Sequence, residues 1–503
     1  MVRIISRDSD LAIIQAKLVG NAIKKKKNNI SIDYLFKKTK GDIDLTTPLS
    51  KLPEIGVFTS DLRESLINEE ADVAVHSWKD LPINLTSGTT IIGTLPRADM
   101  RDIVFFKKKN IAKFEKLKTL TLLTSSPRRE YNLNSFLKNA LPYNIKNINF
   151  ENVRGNIPTR LNKYFEGNSD GIVIAKAAID RLFGRVKNDL SEDIKNIVNN
   201  STWLIPPLSE NPCAPAQGAI AIEVKDGRND IIDLINLIND SETFNSVQVE
   251  RKVLASYGGG CHQKIGVSYE KKSFGRILTL KGITDKNIPL NQRRLERQSE
   301  KKDIKWSSID PNKIYPSNLK EYNFFSRENL KNKSKKINLL RNKNILASRS
   351  NVLDEKDSID SSNILWTSGV KTWFQLAKKG FWVNGTFDSL GEGNNNFKFF
   401  SDNQWIKLTH KDSLDFFIKD RLFTYSLIKN KINQDLSKKT HFYWMSGSAF
   451  QYAIEEFPEI IDKFHSCGPG NTYEIIKKNV TEDRIKIFLT YEDWKDEITN
   501  EKS

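Results

Sequence analysis

Cysteine is scarce in this sequence: Cys213, Cys261 and Cys467 are the only three among 503 residues. A count so low and odd excludes a disulfide-stapled fold. No CxxC pair or clustered His/Cys spacing is present, and the five histidines are scattered, so no metal site is expected. Long apolar runs are also lacking. No stretch of about 18 apolar residues occurs, which argues against a membrane span. The opening Met1-Val2-Arg3-Ile4-Ile5-Ser6 has neither an apolar signal core nor a small-residue cleavage site, so a cytoplasmic protein is expected. Acidic residues are in deficit: 79 Lys and Arg face 62 Asp and Glu, a formal charge of +17.

Such a charge suits two kinds of partner, nucleic acid or a polyanionic small molecule. Much of the excess is lysine in Asn-rich runs, Lys24-Lys25-Lys26-Lys27-Asn28-Asn29 and Lys331-Asn332-Lys333-Ser334-Lys335-Lys336, which read as solvated surface or connector. The arginines say more. They recur where apolar, strand-like runs give way to helical patterns, and no nucleic-acid motif accompanies them.

The chain is too long for one ordinary domain. Up to about residue 225 strands and helices alternate. Residues 3–6 read as a strand. Leu11, Ile14, Leu18 and Ala22 then recur at helical spacing. Strands are expected near 30–36, 72–76, 120–124, 148–152 and 171–175, with helices over 60–69 and from Arg128, Ile157 and Ala177. Such alternation implies βαβ units and mostly parallel sheets, with ligands beyond the carboxyl ends of the strands. Residues 226–305 read as a smaller α+β unit, 306–340 as a Lys/Asn/Ser-rich linker, and 341–495 as a further α/β region.

Four segments carry chemistry. In Val75-His76-Ser77-Trp78-Lys79-Asp80-Leu81-Pro82 a buried strand ends in a carboxylate able to accept N–H donors and to stabilise a nearby cation. In Thr124-Ser125-Ser126-Pro127-Arg128-Arg129 hydroxyls close a strand and two arginines open a helix, a pattern suited to anions. Arg154-Gly155-Asn156-Ile157-Pro158-Thr159-Arg160 repeats that junction, and Arg7, Ser9 and Arg181 sit in comparable places. Bidentate guanidinium is the preferred partner of carboxylates, so a cleft lined this way fits a ligand bearing several of them. Gly258-Gly259-Gly260-Cys261 presents a thiol on a permissive turn.

In this order and spacing the segments resemble the porphobilinogen deaminase family over roughly residues 1–300. Arg7, Ser9 and Gln15, Lys40-Gly41-Asp42, His76 to Asp80, Thr124 to Arg129, Arg154 to Arg160, Ala216 to Ala219, Glu250-Arg251 and Gly259-Gly260-Cys261 follow the family's landmarks. The resemblance implies two α/β domains like periplasmic binding proteins, 1–96 with 197–222 and 97–196, and a cofactor-bearing α+β domain over 223–305. It implies a dipyrromethane cofactor on Cys261 through a thioether, with Lys79, Thr124, Ser125, Ser126, Arg128 and Arg129 on its carboxylates. Arg7, Ser9, Gln15, Phe58, Arg154, Asn156, Arg160 and Arg181 would meet the substrate, porphobilinogen, with Asp80 as the catalytic carboxylate. A monomer without nucleic-acid or membrane partners is expected, making the linear tetrapyrrole hydroxymethylbilane. The alternative is a non-catalytic anion binder of the same fold, which would need neither Asp80 nor Cys261. Departures from the family pattern are Asp8 and Asp10 around Ser9, Ile55 and Ser60 in place of lysines, Cys213 in place of proline and Ala216 in place of glycine.

Farther on, Trp366-Thr367-Ser368-Gly369, Met445-Ser446-Gly447-Ser448-Ala449 and Cys467-Gly468-Pro469-Gly470-Asn471-Thr472-Tyr473 place hydroxyls and glycines after strands. This region is similar to uroporphyrinogen-III synthase, which implies a ligand held by backbone and hydroxyl groups between two α/β domains.

Overall fold

The computed structural model describes residues 1–39, 59–83, 87–116, 118–184, 189–259, 263–297, 304–392 and 402–500. Phe58, Cys261, Lys40-Gly41-Asp42 and Ile55 lie outside them. The chain forms two compact units, one of Met1–Lys138, Tyr143–Lys271 and Ile277–Arg293, the other built mainly on Arg294–Ser503. Among the described residues no helix is long and apolar enough to cross a membrane.

The first unit begins with β1 (Val2–Arg7), α1 (Asp10–Lys26), β2 (Ile32–Lys37), α2 (Ser60–Ile67), β3 (Val73–Ser77) and β4 (Thr89–Gly93). The chain then crosses into β5 (Asp102–Lys107), β6 (Thr119–Leu123), α3 (Pro127–Ala140), β7 (Asn147–Glu151), α4 (Ile157–Glu166), β8 (Gly171–Ala175), α5 (Lys176–Phe183) and β9 (Ser201–Leu204). It returns as β10 (Ile220–Lys225). The two sheets, β2-β1-β3-β10-β4 and β7-β6-β8-β5-β9, share one plan. In each, three parallel strands are followed by one antiparallel strand next to the edge, β10 in the first and β5 in the second. These antiparallel strands are the ones that follow the two crossings, so both sheets are closed by chain arriving from the other.

Side-chain periodicity explains the elements. Ala16, Val19 and Ile23 of α1 meet Ile4, Val73, Val75 and Ile222 in one core cluster. The lysine run at 24–26 ends α1, with Asp10 in its first turn, so its charge opposes the helix dipole favourably. Two helices, α6 (Asn229–Asn236) and α7 (Ser241–Ala255), precede a three-stranded sheet of β11 (Lys264–Lys272), β12 (Gly275–Ile283) and β13 (Pro289–Glu296).

The second unit holds two sheets. One is β14 (Ile314–Tyr315), β21 (His441–Trp444), β22 (Phe464–Cys467) and β23 (Ile485–Ile487), parallel throughout. The other runs β15-β20-β19-β16-β17-β18, from β15 (Phe325–Asn329), β16 (Asn344–Ala347), β17 (Ile364–Thr367), β18 (Gly385–Thr386), β19 (Trp405–His410) and β20 (Arg421–Lys429). Its pairs are parallel except β15 with β20. Helices α8 (Val370–Lys378), α9 (Gly447–Glu456), α10 (Asn471–Lys477) and α11 (Tyr491–Thr499) follow strands. The linker expected over 306–340 is instead part of this unit. Ile314 and Tyr315 pair with His441 and Phe442, and β15 pairs with β20. Composition misled because aromatics spaced among the lysines carry the fold: Trp306, Tyr315 and Phe324 are buried, and so is Lys333, held 2.8 Å from Asp354.

Candidate active site

Asp80 is held in place by its neighbours. β3 runs into a short 3₁₀ turn, Trp78–Asp80. The Trp78 ring is fully buried with Leu81, Ala216, Ala219 and Val247, and the Trp78 backbone N–H donates to the Ala219 carbonyl (3.1 Å). With Trp78 and Leu81 in the core, Asp80 is left exposed. Arg251 of α7 donates to the carbonyls of Leu81 and Pro82, tying the third sheet's helices to this turn. Gly258 and Gly259 have φ of +98° and +70°, and a Cβ on Gly259 would stand 2.5 Å from the Ile83 side chain. The chain leading to Cys261 therefore passes against the Asp80 loop in a conformation that favours glycine. Gln263 donates back to the Tyr257 carbonyl and closes the base of that turn.

Positive charge gathers around Asp80. Burial pushes Arg160 down to about 10, with Arg129, Arg154 and Arg7 acting in the same direction and Asp80 opposing them. Half-buried Lys79 is lowered for the same reasons: loss of water first, then Arg129 and Arg160, against Asp80 and Asp102. Arg7, Lys79, Asp80, Arg129, Arg154 and Arg160 thus share one field. Arg160 Nε also donates to the Gly155 carbonyl (2.7 Å), and the positive φ of Gly155, +113°, brings that carbonyl round.

The paired arginines are positioned by a residue that the motifs did not single out. Asp102, buried at the head of β5, accepts from Arg128 Nη2 (2.8 Å), Arg129 Nη2 (2.7 Å), Asn211 Nδ2 (2.9 Å) and Gln217 Nε2 (2.9 Å). Burial alone would raise its pKa, but the two guanidinium groups hold it far below the usual carboxylate range. Arg128 also donates to Asn211 Oδ1 (2.9 Å) and the Pro212 carbonyl (2.7 Å), so these contacts turn it inward. The sequence signal was available: a carboxylate opening the apolar strand Asp102-Ile103-Val104-Phe105-Phe106 must find cationic partners.

Other expected residues have structural duties. Ser125 Oγ donates to the Val153 carbonyl (2.8 Å) and accepts the Val153 N–H (3.0 Å). Thr124 Oγ1 accepts the Ser126 N–H (3.3 Å). Asn156 caps α4 by accepting the Thr159 N–H (2.9 Å), and Ser9 stands at the N-cap of α1. Gln15 is buried, its Nε2 2.9 Å from Ser77 Oγ. Arg181 donates to the Gly218 carbonyl (2.7 Å) on the returning crossing, and burial lowers it to about 10. Of the departures, Cys213 is buried with its thiol pushed up by loss of water. Ala216 has φ +67°, a conformation in which glycine costs less.

A second cleft, of about 300 Å³, lies within the second unit. Ser368, Phe387, Ser389, Gly391, Met445, Gly468, Pro469, Gly470, Asn471 and Thr472 line it. The three hydroxyl- and glycine-rich segments of the C-terminal region, far apart in sequence, therefore meet here. They follow β17, β21 and β22, so the cleft sits at the carboxyl ends of parallel strands from both sheets, where α/β folds bind ligands.

Residues 2–233 match the family model described as porphobilinogen deaminase, dipyromethane cofactor binding domain. The porphobilinogen deaminase of Caldicellulosiruptor saccharolyticus is 36% identical over 267 residues, 53% of this chain and 83% of that protein. The probable porphobilinogen deaminase of Sulfurisphaera tokodaii is 36% identical over 280 residues, covering 55% and 85% of the two chains. That of Picrophilus torridus is 33% identical over 307 residues, covering 60% and 98%. Among solved structures, an amino acid ABC transporter's substrate binding protein aligns over 52% of this chain and 99% of its own at 15% identity, with a TM-score of 0.24. The fold rests on the sheets described above.

Proposed function

The chain belongs to the porphobilinogen deaminase family, and from that premise we infer how its residues divide the work. It is a transferase, hydroxymethylbilane synthase, that joins porphobilinogen units with loss of ammonia into a linear tetrapyrrole. Its cofactor is dipyrromethane, which supplies the free pyrrole carbon to which the first substrate unit is joined. The site's charge suits such a group. Cations crowd around Asp80 while Asp102 is already committed to Arg128 and Arg129, leaving positive charge for a polycarboxylate to balance.

We assign the cofactor's thioether to Cys261 and its carboxylates to Lys79, Thr124, Ser125, Ser126 and Arg129, with Arg128 a positioning residue beside Arg129. Arg7, Ser9, Gln15, Phe58, Arg154, Asn156, Arg160 and Arg181 take the incoming porphobilinogen. Asp80 accepts pyrrole N–H groups and faces the positive charge that develops as ammonia leaves. A carboxylate fixed in advance needs no reorganisation at that moment. The arrangement that carries this reading is the cluster of cations around one exposed carboxylate, since a plain anion binder has no use for Asp80. The domains are proposed as 1–96 with 197–222, 97–196 and 223–305. We also propose a cytoplasmic monomer; arginines gathered near Asp80 rather than along a basic face speak against nucleic-acid or membrane partners. The test is to give the purified chain porphobilinogen. Ammonia and tetrapyrrole should appear together, whereas binding without turnover would favour the anion-binder reading.

For the second unit we propose a uroporphyrinogen-III synthase-like site in the second cleft, taking the tetrapyrrole made by the first. Convergence of the three hydroxyl/glycine segments supports it. Released hydroxymethylbilane closes spontaneously to the type I ring, so the test is the isomer formed by the full chain. Type III supports a synthase and type I alone rejects it.

A further inference from the structure

The second cleft is walled by glycines, hydroxyls and apolar side chains such as Phe387, Trp444 and Leu489, yet one carboxyl group stands in it. Among its described lining residues Glu392 is the sole acid. It belongs to a compact ionic group. Lys407 of β19 donates to both Glu392 oxygens (2.6 and 2.8 Å) and also contacts Asp415. Asn471 of α10, on the other sheet's side, donates to Asp415 Oδ2 (2.9 Å) and Glu392 Oε2 (3.3 Å). Two carboxyl groups thus share one ammonium. They differ in access, because Asp415 keeps 1% of its side-chain surface and Glu392 keeps 10%. Asp415 is further committed to the N–H groups of Phe417 (2.9 Å) and Ile418 (2.8 Å), which stabilise it as an anion.

Fully ionised, two carboxylates around one ammonium leave one negative charge in excess, which would repel a polycarboxylate ligand. A carboxylic acid would not, and it could donate. We propose that Glu392 is the proton donor of the second cleft, releasing the hydroxyl of a hydroxymethylpyrrole ligand as water. This rests on the synthase reading above. Its proton goes to the leaving oxygen, and the C–O bond breaks with its electron pair on oxygen. The pyrrole nitrogen then shares the positive charge of the resulting azafulvenium. The Glu392 carboxylate left behind faces that charge, and after ring closure the proton displaced from the attacked pyrrole carbon returns to it. Asp415 and Lys407 set its acidity: burial and the neighbouring Asp415 raise the Glu392 pKa, and Lys407 lowers it, with a net rise. Asp415 itself, despite burial, is held low by Lys407 and its backbone donors. Of the two carboxyl groups, the one that reaches the cleft is thus the one on which a balancing proton is favoured.

The experiment supplies hydroxymethylbilane directly to the full-length chain and separates the type I and type III rings after oxidation. E392Q should lose type III formation on the order of 10²-fold, with porphobilinogen consumption unchanged, since Glu392 lies outside the deaminase site. In wild type the type III rate should fall as pH rises through the raised pKa. D415N removes the charge that raises it, so that fall should move to lower pH. Should E392Q fail to fold, as read by its thermal transition, the D415N profile decides. A folded E392Q within a few-fold of wild type, or an unmoved D415N profile, overturns the assignment while leaving the synthase reading intact. Type I alone from wild type overturns both.

Discussion

The two candidate sites of this chain are built from opposite materials. The first is proposed from charged side chains: Lys79 and Arg160 share a field with Asp80; Arg7, Arg129 and Arg154 share one with Arg160; and Asp102 anchors the paired arginines. The second is lined by glycines, hydroxyls and apolar side chains, with Glu392 its sole described acid, paired to Lys407 beside Asp415. A side-chain site depends on residue identity and tolerates little substitution. A backbone site depends on turns following strands and can persist through much change in sequence. The difference predicts that single substitutions will damage the first cleft far more than most will damage the second.

The largest effect should come from C261S. A hydroxyl is a much poorer nucleophile than a thiolate, so the variant should carry no dipyrrole and make almost no tetrapyrrole, read by intact mass and by product absorbance. D80N comes next. It should fold and keep its cofactor while kcat falls on the order of 10²–10³-fold, and a loss of a few-fold would remove Asp80 from the chemistry. D102N tests positioning. Leaving Arg128 and Arg129 buried without their counter-charge should cost about 3–5 kcal/mol, measured by urea unfolding. The pH dependence has a definite sign. The folded Asp102 carboxyl lies far below its unfolded value, so its contribution is present above the unfolded pKa and is lost only as pH falls well into the acid range. The smallest effect belongs to A216G. Relieving φ +67° should stabilise by on the order of 1 kcal/mol, reduced by the buried methyl it removes, and would appear as a small rise in the thermal midpoint.

Legibility followed the same division. The α/β alternation was readable because Ile4, Val73, Ile172 and their neighbours are apolar runs separated by amphipathic helices. The candidate residues of the first site could be singled out because they are chemically distinctive and close to strand ends. Asp102 was missed because its meaning lies in partners 26, 27, 109 and 115 positions away. The inward turn of Arg128 was hidden for that reason too. The linker reading failed because average composition over 306–340 outweighed three buried aromatics. Glu392 carried no motif, since only folding brings it to Lys407, Asp415 and Asn471.

The central claim is that chain growth occurs on a dipyrrole anchored at Cys261 and served by the Asp80 cleft. Denatured intact mass of the wild-type protein, before and after brief exposure to porphobilinogen, tests it most directly. The chain should be heavier by one dipyrrole, with the addition on the peptide bearing Cys261, and further species spaced by single pyrrole units should follow once substrate is added. A bare chain whose mass does not change with porphobilinogen would contradict it.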